Sequence, residues 1–228
     1  MVVVQQCYQA PYLELSGLLS SFLLASIPLL TRVTPIIAMP PPAKSKPSHK
    51  LELTTNSLRN TTMSVGDDTI FYEIVTRFWH PHLTKINKTD METREVFTVA
   101  EIEREPGKES RVRFGGDKGH WISAAEFVKY DSEHAGGTFS GDANGTYRWK
   151  THKGRLQLVK ADDEDKTTVA EFHPHKRHFF VFRMSKHAYL EIKPLPEVTT
   201  ALEKLIVSYL LVERRRRDTH IRVKLERS

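Results

Sequence analysis

Beyond Pro194 and Pro196, the residues Val198, Ala201, Leu202, Leu205, Ile206, Tyr209 and Leu210 recur at i, i+3, i+4, i+7 spacing. That spacing is one face of a helix. Val207, Leu211 and Val212 add apolar groups to the other faces. A helix apolar nearly all round has to be enclosed by protein or sit in lipid. A bilayer span needs roughly 20 apolar residues; this run offers about 15, with Glu203 and Lys204 inside it. The spacing predicts a helix over 196–217, enclosed by the rest of the domain. Arg214, Arg215, Arg216 and Arg217 close it, at the end where cations meet the partial negative charge of the macrodipole.

Upstream, the hydrophobic period changes to two. Thr69 to Thr76 ("TIFYEIVT") is rich in β-branched and aromatic residues. In "TYRWK", Tyr147 and Trp149 alternate with Arg148 and Lys150. Leu156 and Leu158 share a face, as do Leu190 and Ile192, and Phe180 and Phe182 in "HFFVFRM". Turn signals separate these runs, among them Gly115-Gly116-Asp117, Asn144-Gly145 and Lys153-Gly154. The last two bracket "TYRWK" and predict consecutive hairpins. About ten to twelve short strands at this spacing suggest a mainly β fold, a closed antiparallel β-barrel around the helix, because closure removes adhesive sheet edges.

A barrel threaded by a C-terminal hydrophobic helix resembles the tubby C-terminal-like fold, shared with LURP-one-related domains. More specifically, "DDTIFYEIVT", "VAEIERE", "GTYRWK", "TTVAEFH" and "LEKLIVSYLLVERRRRD" in this order resemble the fungal domain-of-unknown-function family 6593. The resemblance covers Leu51 to Asp218 and brings no established activity with it. Tubby-type domains bind phosphoinositides, but no matching lipid-binding motif carries that property to particular residues here.

Three segments result. Residues 1–50 form an apolar leader and a Pro-rich linker expected to be disordered. Residues 51–218 form the domain, and 219–228 a tail. Leu15 to Leu30 has the length of a signal h-region, but residues 1–14 contain no Lys or Arg and Glu14 adjoins the run. A signal, an anchor, and a start at Met39 or Met63 stay open. The net charge of +6 divides as +3 over 1–50, −1 over 51–202 and +4 over 203–228. The body is near neutral, which disfavours nucleic acid as a partner. The one cysteine, Cys7, lies outside the domain, so neither an intramolecular disulfide nor a Cys-based zinc site can form. That suits a cytoplasmic setting; secretion is the alternative if residues 15–30 act as a signal.

No catalytic constellation emerges, and no cofactor is expected. His173, His175 and His178 are the candidate metal ligands, yet no fourth ligand or supporting carboxylate is evident from spacing. Asp162 to Asp165 lacks the alternation and glycine of a calcium loop. Phe114 to His120 is Gly-rich but matches no phosphate-binding loop and reads as a tight turn. Arg214 to Arg217 is the candidate site for anionic lipid, at roughly 1 kcal/mol per arginine near a charged surface. The leading expectation is therefore a non-enzymatic binding or scaffold domain that associates with anionic lipid or a protein partner. An enzyme with a dispersed His/carboxylate site ranks second, and a secreted or membrane-anchored protein third.

Overall fold

The computed structural model describes residues 48–66, 69–131, 136–142, 145–163, 167–175 and 186–226, with side chains described up to residue 220. Residues 1–47 of the leader and linker, His178, Glu164, Asp165, Asn144 and the run "HFFVFRM" lie outside the described residues, while His49 and Lys50 of the expected linker belong to the first strand.

The strands are β1 (His49–Leu53), β2 (Thr61–Ser64), β3 (Phe71–Thr76), β4 (Leu83–Thr89), β5 (Val96–Glu103), β6 (Arg111–Phe114) and β7 (Trp121–Ser123). The short helix α1 (Ala124–Phe127) follows, then β8 (Lys129–Tyr130), β9 (Gly137–Ser140), β10 (Thr146–His152), β11 (Arg155–Lys160), β12 (Thr168–His173) and β13 (Ala188–Ile192). Helices α2 (Pro196–Thr200) and α3 (Leu202–Glu226) come last. The thirteen strands among the described residues form one antiparallel sheet, ordered β7-β6-β5-β4-β3-β2-β1-β13-β12-β11-β10-β9-β8.

The period of two is realised as expected. Tyr72, Ile74 and Thr76 of β3 point inward, as do Tyr147 and Trp149 of β10, Leu156 and Leu158 of β11, and Leu190 and Ile192 of β13. The β10–β11 hairpin is closed by Lys153 (φ 48°) and Gly154 (φ 76°) between the paired His152 and Arg155. Two consecutive positive φ angles are the type I′ turn that matches the twist of a two-residue hairpin.

The closed barrel of ten to twelve strands is overturned. Among the described residues the hydrogen-bonded ladder is open, ending at β7 on one side and β8 on the other. The tubby-like assignment rested on closure and falls with it. The physical reason is α1, which enters between the two edges. Its N-cap Ser123 accepts a hydrogen bond from the Ala125 amide. Its Phe127 packs at 5.0 Å from Phe114 of β6 and 5.9 Å from Phe139 of β9. Side-chain packing covers there what backbone pairing would have joined, and this protects the edges by another route.

Against the inner face lies α3. Leu205 to Glu213 are buried without interruption. Nine consecutive residues exceed two full helical turns, so the helix is enclosed on every side. Tyr209 packs against Trp149 (6.0 Å) and Phe172 of β12 (5.1 Å). The indole of Trp149 donates to the Ser208 hydroxyl at 2.9 Å, and that hydroxyl donates to the Leu205 carbonyl at 2.8 Å. Thus the Ser208 hydroxyl in the middle of the run is satisfied, as most buried polar groups are. The expected single helix is broken at Ala201 (ψ 11°) into α2 and α3, and α3 continues past residue 217 to Glu226. Among the described residues no helix is long and apolar enough to cross a membrane.

The enclosure makes α3 sensitive to charge. Leu210→Asp or Ile206→Asp places an unpaired charge at a fully buried position, at a cost of about 4 kcal/mol or more. That is a large part of a domain's total of roughly 5–15 kcal/mol. Urea unfolding should show a collapsed midpoint; an unchanged midpoint contradicts the enclosure. It also makes the domain sensitive to alkali. Tyr72, Tyr130, Tyr147 and Tyr209 are held above the ordinary phenol value of 10.0, chiefly by burial. Above pH 10 the unfolded chain loses these protons while the folded chain keeps them. Stability is therefore intact below pH 10 and falls as pH rises from there toward the raised values. Phenolate absorbance of these four should appear together with unfolding, and ionisation in a still-folded chain contradicts their burial.

Candidate functional site

Register decides which loops share an end of the sheet. In an antiparallel meander alternate turns lie together, so the β1–β2, β3–β4 and β5–β6 connections stand at one end. Pairing of Leu53 with Ala188 and of His173 with Tyr189 adds the start of β13 and the end of β12. The β10–β11 turn belongs there too. The C-terminal half of α3 emerges at this end: Arg216 donates to the Gly154 carbonyl at 3.3 Å and Arg217 to the Asn56 carbonyl at 2.7 Å.

The four arginines of the sequence motif divide into two pairs. Glu213, buried within α3, is gripped by Arg216 (2.7 and 3.1 Å) and Arg217 (2.8 Å). A buried carboxylate requires such partners, and this pairing raises the Arg216 pKa. Those two arginines are occupied in holding the structure. Arg214 and Arg215 are exposed. Arg214 pairs with Asp218 at 3.1 Å, and Arg215 lies 4.5 Å over the Tyr130 ring.

These two flank a pocket of about 460 Å³ lined by Arg104, Ser110, Tyr130, Arg214, Arg215 and Asp218, among others. Arg104 leaves β5 at this end, where its amide donates to the His82 carbonyl at 2.7 Å. Its Nη2 is buried and has no hydrogen-bond partner among the described residues. Burial, then the neighbouring Arg214, then Arg59, pull its pKa down to about 10, against the opposing pull of Tyr130 and Asp218. A second pocket of about 230 Å³ shares Arg104 and Arg214 and is lined also by Arg59, Pro81, His82 and Thr84. The β3–β4 turn that supplies Pro81 and His82 carries Phe78, 93% exposed, and Trp79, 65% exposed. Arg77 lies 5.4 Å over the Trp79 ring.

Sequence reading singled out the arginine motif but not Arg104 or Phe78-Trp79. Two adjacent large aromatics before His80-Pro81-His82 were a visible signal for a turn tip. Arg104 gave none, since only β-sheet register brings it to α3.

The histidines do not converge as a metal centre. His173 stacks on Tyr189 at 4.4 Å and lies 3.3 Å from Glu191. That separation suits an ion pair rather than a hydrogen bond, and His173 Nε2 lies also 3.8 Å from Glu171. His175 faces His187 with ring centroids 6.5 Å apart. His80 and His82 are separated from β12 by β1, β2, β3 and β13. Among the described residues no group of three or more His, Cys, Asp or Glu is placed to hold a metal. The Gly-rich turn is a turn: Gly115 (φ 76°) and Gly116 (φ 59°) adopt left-handed backbone, and a Cβ at Gly119 would strike the Phe114 carbonyl. The second buried carboxylate, Glu101, lies between Lys85 (3.1 Å) and Arg113, whose guanidinium stacks 4.8 Å from the Trp121 ring.

No curated protein and no solved structure matches the chain. One family does, over residues 56–218, described as a family of unknown function (DUF6593). The match takes in the whole sheet from β2 onward, α1, α2 and α3 through the arginine motif. The chain belongs to the DUF6593 family.

Proposed function

We propose that this is a non-enzymatic binding domain that docks on anionic membrane through the end of the sheet where α3 emerges. The observation that carries the reading is the Phe78-Trp79 tip, exposed beside a cluster of arginines. Isolated exposed apolar residues are ordinary, but two adjacent large aromatics projecting from one turn are costly in water alone. Trp suits the bilayer interface, where its ring is apolar and its N–H remains wet. Arg214 and Arg215 supply the attraction to anionic headgroups, while Arg216 and Arg217 stay engaged with Glu213. The anionic cytoplasmic leaflet is the matching surface, in keeping with a cytoplasmic protein.

Co-sedimentation tests this with phosphatidylcholine vesicles, neutral or carrying phosphatidylserine. Binding should require the anionic lipid, and Trp79 fluorescence should shift to the blue on docking. Replacing Arg214 and Arg215 by Ala removes roughly 2 kcal/mol, about 30-fold in affinity. Phe78→Ser with Trp79→Ser should abolish docking without changing the melting temperature. Equal binding to both vesicle types, or full binding by the aromatic double variant, would overturn the reading.

A further inference from the structure

A buried guanidinium nitrogen that lacks a partner is an unfinished structure. Five N–H donors in a planar fork match the oxygens of a phosphate or carboxylate, and Arg104 directs one of these donors, Nη2, to no acceptor among the described residues. Native proteins rarely leave such a group unsatisfied, and each exception calls for an explanation, a bound ion among them. The pocket at Arg104 is also crowded with like charge. Arg104, Arg214 and Arg215 line it against the single carboxylate of Asp218, and that carboxylate is engaged by Arg214 Nε at 3.1 Å. Arg59 approaches Arg104 from the adjoining pocket. Ser110, Tyr130 and Thr219 contribute hydroxyl groups to the same lining.

We propose that this pocket binds a phosphate monoester, with the half-buried Arg104 as the inner anchor and Arg214 and Arg215 at its mouth. The charges argue for a dianion, since three guanidiniums face one carboxylate. The hydroxyl groups argue for a ligand that accepts many hydrogen bonds, as a phosphate does. The volume of about 460 Å³ lies within the roughly 300–1,000 Å³ of small-molecule sites, so the phosphate carries a small polar group with it. A bound dianion also explains how the depressed Arg104 is tolerated: it supplies the opposite charge that burial and Arg214 deny. The site reaches beyond the membrane reading and does not need it, because a soluble phosphate monoester and a lipid such as phosphatidic acid present the same chemistry.

The test uses the full chain and two arms. In the first, calorimetry measures binding of inorganic phosphate at low salt. Saturable binding is expected, weakening as the pH falls and the dianion protonates. Arg104→Gln should weaken it at least tenfold, and Arg215→Gln, at an exposed position, should weaken it severalfold with an unchanged melting temperature. In the second, phosphatidylcholine vesicles carry either phosphatidic acid, a monoester, or phosphatidylserine, a diester. Preference for phosphatidic acid, erased by Arg104→Gln and competed by inorganic phosphate, supports a lipid source. Phosphate binding without vesicle preference supports a soluble source. No phosphate binding together with equal response to both lipids overturns the pocket while leaving the membrane docking intact. Phosphate binding undiminished in both arginine variants overturns the pocket as well.

Discussion

A helix that is apolar on every face has to be surrounded, and the rest of this fold answers that demand. One flat sheet covers one face of a helix. Here thirteen strands reach round α3 until Leu205 to Glu213 are all buried. The enclosure then dictates how every polar group on that stretch is handled. Ser208 is committed to the Trp149 indole and the Leu205 carbonyl. Glu213 is held by the two arginines one turn onward. Tyr209 keeps a buried hydroxyl without a partner among the described residues, a cost of about 1–3 kcal/mol that its packing between Trp149 and Phe172 offsets.

The same constraint decides where chemistry can occur. The two pockets that share Arg104 lie at the rim where α3 leaves the sheet and turns crowd together. Charge follows that geometry. The stretch 51–202 is nearly neutral in sum, yet Arg59 and Arg104 are carried by register to the point where α3 leaves the sheet, beside Arg214 and Arg215. A local cationic site thus arises from a chain segment whose net charge conceals it. Phe78 and Trp79 stand on the neighbouring turn for the same topological reason.

Much of this was legible in the residues. The all-round apolar run named the helix, and alternation named the inward faces of Tyr147, Trp149, Leu190 and Ile192, because both patterns are local periodicities set by backbone geometry. Lys153-Gly154 named its hairpin through the need for positive φ. Closure was not legible. Whether the first and last strands of a sheet pair depends on what comes between them, and four residues, Ala124–Phe127, hold β7 and β8 apart with Phe127 in the gap. At the candidate site, the arginine motif was visible but its division was not, since Glu213 becomes a reason to occupy Arg216 and Arg217 only once it is buried. Arg104 was invisible, as an arginine following a strand has no local mark of being unpartnered.

Native-state hydrogen exchange tests the enclosure of α3 most directly. If the sheet surrounds the helix, the amides of residues 205–213 open only when the whole domain unfolds. Their exchange free energies should equal the global stability and fall with urea at the global slope. Amides of residues 219–226, past the buried stretch, should exchange far faster. Exchange of the 205–213 amides well below the global free energy, with a shallow urea dependence, would mean that α3 separates from an intact sheet and would contradict the account.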